Sequence, residues 1–352
     1  MKPKTLFVVP ILLVALVFNA CENESEPLVP PVESANYYVV INEGLYGQNN
    51  SSVTLYDIET NETRQNVYAN ANGGADLGDT ANDFAQCCGK GFIVLDKSKK
   101  IEIVNLRTFE SLGFIDFGEY GSPRNIVIYD SSRAFVSTLE NSVTEINPKT
   151  NEIITTYAVG AMPEGLAICD DKLFVANSGF GTGNSVSVID LRSGSVTAEI
   201  EVKINPRFIE TDGDFVYVIS AGEYTPPGKG AITKISPVSL APVDTVALTG
   251  NPGKAEIANG NLYVIYSAGV AEISLANFEI SDSLFIDGND VNSLTGVVYS
   301  VFYDNVHMRF VFGNPKDFMQ NGEAVIFDAD GTKLGKFTCG LNPGTISLII
   351  NK

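Results

Sequence analysis

Three charged residues follow a proline at repeated intervals, and their types suit the recognition of a polar ligand. Arg124, Glu164 and Arg207 each come directly after a proline, at intervals of 40 and 43 residues. Equivalent positions of a repeat project from equivalent places in the fold, so we expect these side chains to lie near one another. Guanidinium groups bind carboxylates and phosphates through paired, charge-assisted hydrogen bonds. Together with aromatic residues of the neighbouring loops, such charged groups suit a large, flat, amide-bearing ligand.

The chain has few residues of the types that metal binding or nucleophilic catalysis requires. One histidine (His307) and five cysteines are too few for a histidine-rich metal centre and leave little for a Ser-His-Asp triad. With 42 acidic and 23 basic residues, the formal charge of −19 argues against binding to nucleic acid or to anionic lipid. We predict no catalytic residue, no metal site and no cofactor.

A repeat of 40 to 48 residues must position these side chains. Its units open near residues 80, 123, 163, 206, 252, 295 and 343. Short runs rich in Val, Ile, Phe and Tyr alternate with clusters of Asn, Asp, Gly, Pro and Ser, which is typical of strands joined by tight turns. Four strands per unit at this period predict the blade of a β-propeller.

The two ends of the repeat predict how the ring closes. The last unit contains only one strand, at residues 345–350, and residues 37–70 resemble the missing remainder of a blade. Pairing them removes two exposed sheet edges. We therefore predict an all-β, seven-bladed β-propeller in which the C-terminal strand completes the N-terminal blade. Six or eight blades stay open, because the units near 80 and 295 are irregular.

The N-terminus predicts an exported, lipid-anchored protein. Lys2 and Lys4 precede an apolar run over residues 6–18, and Ala20-Cys21 resembles a bacterial lipobox. We expect a signal peptide over residues 1–20, a lipidated Cys21 opening a flexible acidic and Pro-rich tether over 21–36, and a single propeller domain over 37–352. The acidic residues after Cys21 resemble the surface-export signal of Bacteroidota lipoproteins, which implies the outer face of the outer membrane. An ordinary signal peptide is the alternative.

The loops at one end of a propeller channel are where a ligand would bind, because a rigid ring positions them. The candidate ligand-binding residues come from the loops that enter the innermost strands and from those that join the second and third strands. They are Glu43, Tyr46, Asp79, Arg124, Glu164, Asn177, Phe180, Arg207, Tyr224 and Tyr266. Alternatively, the aromatic rings pack between blades and the arginines form ion pairs from blade to blade.

The cysteines of the ring are expected to be free thiols. Cys87 and Cys88 are adjacent, so a bond between them would be strained, and neighbours on a strand point to opposite faces. Cys169 and Cys339 lie at different positions of their units. A bridge from Cys87 or Cys88 to another blade stays open.

The unit Pro-x-x-Ile/Leu with a later Asn-Ser-Val-x-x-Ile-Asp, clearest at residues 184–190, resembles the YVTN-type, YncE-like propellers. The segments 41–50 and 77–81 resemble a Bacteroidota lipoprotein family of such propellers. That family includes surface cobalamin-binding lipoproteins that sit over a TonB-dependent vitamin B12 transporter. The resemblance implies a protein that captures a corrinoid and passes it to such a transporter. A protein- or glycan-binding scaffold is the main alternative, and a propeller lactonase or lyase is the minor one.

Overall fold

Seven four-stranded antiparallel sheets form a ring in the computed structural model, which describes residues 36–225 and 228–350. Each sheet is one blade of a propeller, so the predicted fold class is confirmed. The predicted signal peptide, Cys21 and the tether as far as residue 35 lie outside the described residues. Across the described part of the chain, no helix has the length and hydropathy needed to span a membrane.

The blade that contains both ends of the described chain closes the ring, and we call it the closing blade. Its strands are β1 (Tyr37–Asn42), β2 (Ser52–Asp57), β3 (Thr63–Arg64) and β28 (Pro343–Ile349). Strand β28 is innermost and pairs antiparallel with β1, with Tyr37 opposite Ile349 and Val39 opposite Ser347. The predicted closure is therefore confirmed, and the alternatives of six or eight blades are wrong.

The other six blades each use four consecutive strands, numbered in chain order from the innermost outward. Blades 1 to 3 consist of β4 (Ala81–Cys87), β5 (Lys90–Leu95), β6 (Lys100–Asn105) and β7 (Ser111–Asp116); β8 (Pro123–Ile128), β9 (Ala134–Thr138), β10 (Ser142–Asn147) and β11 (Glu152–Ala158); β12 (Pro163–Cys169), β13 (Lys172–Asn177), β14 (Ser185–Asp190) and β15 (Ser195–Glu201).

Blades 4 to 6 follow the same plan. They consist of β16 (Pro206–Thr211), β17 (Val216–Ser220), β18 (Ala231–Ser236) and β19 (Ala241–Ala247); β20 (Ala255–Ala258), β21 (Asn261–Tyr266), β22 (Gly269–Ser274) and β23 (Glu279–Asp287); β24 (Ser300–Asp304), β25 (Arg309–Asn314), β26 (Asn321–Asp328) and β27 (Lys333–Leu341). The helices α1 (Val67–Ala71) and α2 (Gly288–Val291) are one turn long and lie in loops, as does a 3-10 turn at Gly179–Gly181.

The core lies between the blades. The second and third strands of each blade are buried on both faces, which explains their continuous runs of Val, Ile and Phe. Phe174 and Val188 of blade 3, for example, pack against Val216 and Val218 of blade 4. Burying one such side chain contributes roughly 1.5–3 kcal/mol. The ring is therefore rigid enough to hold its loops in fixed positions.

The innermost strands all run in the same direction along the central channel. Their first residues gather at one end of it, which we call the mouth face, and their last residues gather at the other end, the far face. Both Tyr37 and Ile349 lie at the far face, because they pair at the end of β28.

Candidate functional site

A cavity of about 490 Å³ opens on the mouth face, where the innermost strands begin. This volume falls within the range of roughly 300–1,000 Å³ that small-molecule sites occupy. Six of the ten predicted binding residues line it: Glu43, Arg124, Glu164, Arg207, Tyr224 and Tyr266. The charged residues that follow the repeated prolines therefore lie together, as their spacing predicts.

A shared irregularity of the innermost strands turns side chains into this cavity. In β8, Pro123 pairs with Thr138 but Ile126 pairs with Val136, so the bulged strand has one residue more than its partner. The same register shift occurs at the start of β4, β12, β16 and β28. A β-bulge bends the strand and redirects the side chain at that point. The redirected side chains that line the cavity are Asn82, Arg124, Glu164 and Arg207.

Glu164 lies between two arginines of the neighbouring blades. Its Oε2 atom accepts from Nη2 of Arg207 at 3.1 Å and from Nη2 of Arg124 at 3.4 Å. Burial acts to raise the pKa of the Glu164 carboxyl, but the Arg207 and Arg124 guanidinium groups together outweigh it, so the pKa lies below its ordinary value. The ion pairs between blades that were expected as the alternative are therefore present, and they form part of the cavity wall.

Two hydrogen-bond donors of the cavity wall have no partner within the described part of the chain. Arg124 uses Nη1 to bind Asp96 at 2.7 Å, but its Nε atom is buried and unpaired. Nδ2 of Asn82 is likewise buried and unpaired on the adjacent innermost strand. Buried donors without an acceptor are costly, and nearly all such groups in folded proteins are satisfied. A ligand acceptor can pair with these donors if the side chains of the wall shift slightly on binding, because both atoms are buried in it.

The opposite wall of the cavity is tied to the closing blade. The hydroxyl group of Tyr299 donates to Oε2 of Glu43 at 2.7 Å, and Nζ of Lys254 donates to the carbonyl of Gly344. Burial lowers the pKa of Lys254, although the carboxylates of Glu43 and Asp83 oppose this effect. Burial and the Glu43 carboxylate raise the pKa of Tyr299, so its hydroxyl group remains a proton donor.

Two tyrosines present their rings at the cavity edge. Tyr224 is half exposed, and its ring lies against Gly181 so closely that a Cβ at that position would come within 2.8 Å of it. The hydroxyl group of Tyr266 donates to the carbonyl of Ser283. Aromatic rings at a cavity edge suit stacking on a planar group.

The other four predicted binding residues do not line the cavity. Asp79 accepts from the backbone N–H groups of Gly47 and Asn49 at 3.1 and 3.2 Å and so fixes the β1–β2 loop. Asn177 is buried, and its amide donates to Ser185 and Ser187. Both residues therefore act as loop supports in the described structure.

Tyr46 and Phe180 belong to a wider apolar rim of the mouth face. They are 71% and 72% exposed, and both lie in loops that join second to third strands. Other exposed apolar side chains occupy the neighbouring loops of the same face. We call the set the mouth rim: Tyr46, Met162, Phe180, Tyr224, Leu294, Val297, Phe318 and Met319.

Sequence reasoning missed Asn82 and Tyr299, which also line the cavity. The predicted unit opening near 80 lies one residue before the start of β4 at Ala81, whereas the opening near 295 is shifted further; these two units lack the proline. Val301 and Ile209 lie at the same depth of the channel. Tyr299 lies two residues before Val301, and Arg207 lies two residues before Ile209, so Tyr299 and Arg207 hold equivalent positions. Placing the openings at Ala81 and Val298 would have assigned Asn82 and Tyr299 to the position that Arg207 holds.

A second cavity, of about 270 Å³, lies farther down the channel. Asp83, Glu210, Lys254 and Glu256 line it, and Lys254 lines the upper cavity as well. Burial raises the pKa of Glu256 to about 8, and burial together with the Glu256 carboxylate raises that of Glu210 well above its ordinary value. Within residues 36–225 and 228–350, no three His, Cys, Asp or Glu side chains are grouped closely enough to hold a metal ion.

Solved structures with the same fold come from proteins of diverse kinds. The hydrazine synthase of Kuenenia stuttgartiensis aligns with a TM-score of 0.65 at 15% identity, over 77% of this chain and 95% of the other. A quinonprotein alcohol dehydrogenase-like protein of Bacteroides thetaiotaomicron gives 0.63 at 15% identity, over 90% of this chain and 78% of the other. The dihydro-heme d1 dehydrogenase NirN gives 0.59 at 12% identity, over 92% and 77%. At these identities the likeness concerns the fold alone.

The sequence itself points to one family. No curated protein matches it. A family described as a domain of unknown function, DUF5074, matches residues 36–351, which span the whole propeller. The chain therefore belongs to the DUF5074 family.

Proposed function

We propose that this protein is a non-enzymatic lipoprotein of the outer-membrane surface, which captures a ligand at its mouth face and passes it to a TonB-dependent transporter. One observation carries the proposal: the mouth cavity holds two buried donors, Nε of Arg124 and Nδ2 of Asn82, that lack an acceptor in the described structure. A bound ligand that offers acceptor atoms removes the cost of leaving them unpaired.

A corrinoid is the ligand class that we propose first. It is a large planar macrocycle with many amide side chains, whose carbonyl groups are acceptors for the unpaired donors. Its apolar faces suit the ring of Tyr224 and the exposed mouth rim. A corrinoid is larger than the cavity, so it would cover the mouth and insert only part of itself. The resemblance of the sequence to cobalamin-binding propellers supports the same class.

The direction of the described chain ends supports the proposed location. Tyr37 begins its strand at the far face. A lipidated tether that precedes this residue would therefore join the ring at the far face, opposite the mouth. This attachment leaves the mouth loops free of the anchored end, so the cavity stays open to a ligand.

Co-elution on a sizing column tests the ligand. The chain from Glu22 onward contains the whole described ring, and we would mix it separately with cyanocobalamin and with cobinamide. Both are coloured, so binding appears as visible absorbance in the protein peak. We expect co-elution at micromolar concentrations. If both compounds elute free of the protein, the corrinoid proposal is wrong.

Two substitutions test the site itself. Arg124→Ala and Tyr224→Ala should each weaken corrinoid binding about tenfold or more, since each removes a polar or stacking contact worth about 1–3 kcal/mol. Arg192→Ala is the matched control, because Arg192 pairs with Asp171 at the far face. Titration by absorbance or calorimetry measures the affinities, and equal affinities in all four proteins would place the ligand elsewhere.

A protein- or glycan-binding scaffold is the second candidate, and the mouth rim favours it. Phe180 and Met319 are more than two-thirds exposed on the same face. Exposed apolar groups that are clustered mark surfaces for partners. Under this alternative, Phe180→Ser and Met319→Ser together abolish capture of an outer-membrane partner in a pull-down, and neither corrinoid co-elutes.

A further inference from the structure

Two adjacent thiols occupy a tight turn at the far face. Cys87 ends β4, and Cys88 and Gly89 form the turn that leads into β5, with φ angles of +59° and +75°. The Sγ atoms of Cys87 and Cys88 lie 2.7 Å apart. The expectation that the two side chains point to opposite faces is wrong, because the chain leaves the strand at Cys87 and reverses.

Turn preference does not explain a cysteine at this position. The corresponding hairpins of blades 3 and 5 have the same left-handed pair of residues, and there they are Asp170-Asp171 and Asn259-Gly260. Asp, Asn and Gly tolerate positive φ, and they dominate such turns for that reason. Cys88 stands where these blades place Asp or Asn. Residues that depart from a local preference are concentrated at functional sites.

The two thiols are accessible and close enough to react. Cys88 is exposed and Cys87 half-buried, whereas Cys169 and Cys339 are buried. The 2.7 Å between the sulfur atoms is shorter than the roughly 3.5–4.0 Å typical of non-bonded heavy atoms. We propose that Cys87 and Cys88 form a reversible thiol–disulfide exchange site, which is oxidised by small disulfides and reduced by thiols.

The exchange proceeds in two balanced steps. The exposed Cys88, as thiolate, attacks a sulfur atom of the small disulfide, forms a mixed disulfide and releases one thiolate. Cys87 then loses its proton, attacks Sγ of Cys88, closes the Cys87–Cys88 bond and releases the second thiolate. Burial and the neighbouring Cys88 raise the pKa of Cys87 to about 11, so this closing step is faster at alkaline pH. The two protons lost by the cysteines are taken up by the two released thiolates. The cysteines lose two electrons, and the small disulfide gains them.

The oxidised form should be easily reduced. Adjacent Cα atoms lie about 3.8 Å apart across a trans peptide, whereas disulfides usually join Cα atoms separated by about 4.4–6.8 Å. A bond between neighbours is therefore strained, and strained, exposed disulfides are the labile ones. This property distinguishes an exchange site from a structural crosslink.

Alkylation followed by mass spectrometry tests the proposal. The tryptic peptide 65–90 contains Cys87 and Cys88 and no other cysteine. After treatment of the folded protein with glutathione disulfide, free thiols are blocked with iodoacetamide and the protein is digested. We expect peptide 65–90 to carry no alkyl group and no glutathione, with a mass two hydrogens below the reduced form. Brief treatment with dithiothreitol should restore two alkylatable thiols.

One variant and two other cysteine-containing peptides are the controls for this experiment. Cys88→Asn places a favoured turn residue at the same position and keeps one thiol, so it should yield only alkylated or glutathione-bound Cys87. The peptides that contain Cys169 and Cys339 serve as internal controls and should stay unmodified by glutathione in the folded protein. Two alkyl groups on peptide 65–90 of the wild type, or a lasting glutathione adduct, would overturn the proposal.

Discussion

Glu164 links three blades through a single carboxylate. Arg124 comes from blade 2, Glu164 from blade 3 and Arg207 from blade 4, and the three side chains are joined in the wall of the mouth cavity. An ion pair of this kind is costly to break from one side, because the remaining charges stay partly buried. The same residue therefore serves the cavity wall and the ring.

Glu164→Gln should lower the free energy of unfolding by about 1–3 kcal/mol, since it leaves two arginines without their carboxylate. The lowered pKa of Glu164 in the folded state means that its contribution is fully present above the ordinary Glu pKa of about 4.3. The contribution is lost as the pH falls through the folded-state pKa. Urea unfolding at pH 7 and at pH 3 measures the difference between variant and wild type, which should shrink at pH 3.

Glu152→Gln, on the exposed outer strand of blade 2, is the control for this measurement and should leave stability unchanged. A Glu164→Gln protein as stable as the wild type at pH 7 would show that the network adds nothing to the ring.

Glu256 should make the protein less stable as the pH rises. Burial raises its pKa to about 8, so between the ordinary Glu pKa and pH 8 the folded state binds a proton that the unfolded state has lost. The melting temperature should therefore fall from pH 5 to pH 8, and Glu256→Gln should reduce that fall. Thermal unfolding followed by circular dichroism measures it, and identical pH profiles for the variant and wild type would contradict the assignment.

The innermost strands carry the cavity residues, and the sequence predicts those residues only where it shows where each strand begins. Where the unit keeps its proline, as before Arg124 and Arg207, the phase of the repeat predicts the side chain that the bulge turns into the cavity. Where the proline is absent, as before Tyr299, periodicity alone leaves the phase uncertain by a few residues. Asp79 and Asn177 show a further limit, because loop residues that bind a ligand and those that hold the loop have the same polar character.

Strand β28 is expected to be essential for a stable ring. Its removal, by ending the chain at Asn342, leaves β1 with an unpaired edge and takes Ile346 out of the apolar cluster that contains Tyr38 and Val40. We expect the truncated chain to aggregate or to bind the dye ANS, as measured by sizing chromatography and fluorescence. A chain that ends at Ile349 keeps the strand and is the control. A monomeric, ANS-negative truncated chain would show that the six other blades hold the ring without it.

At the scale of the whole molecule, the sequence predicts the fold better than the site. The single strand left over at the C-terminus has a partner only if the ring closes, and that requirement determines the number of blades once the period is known. The cavity depends on side-chain geometry across four or more blades, from Asn82 to Tyr299. Such long-range convergence follows from the closed ring and is not visible in any one unit.

The placement of the two ends of the described chain also determines how the ring responds to force. Tyr37 and Ile349 face each other at the far-face end of the β1–β28 pair, and Asn42 and Pro343 face each other at its mouth end. A pull through both ends acts along the hydrogen bonds of this antiparallel pair and breaks them one after another, without sliding the strands past each other. The propeller should therefore unzip at low force, starting at the far face, and the mouth should be the last part of that seam to separate.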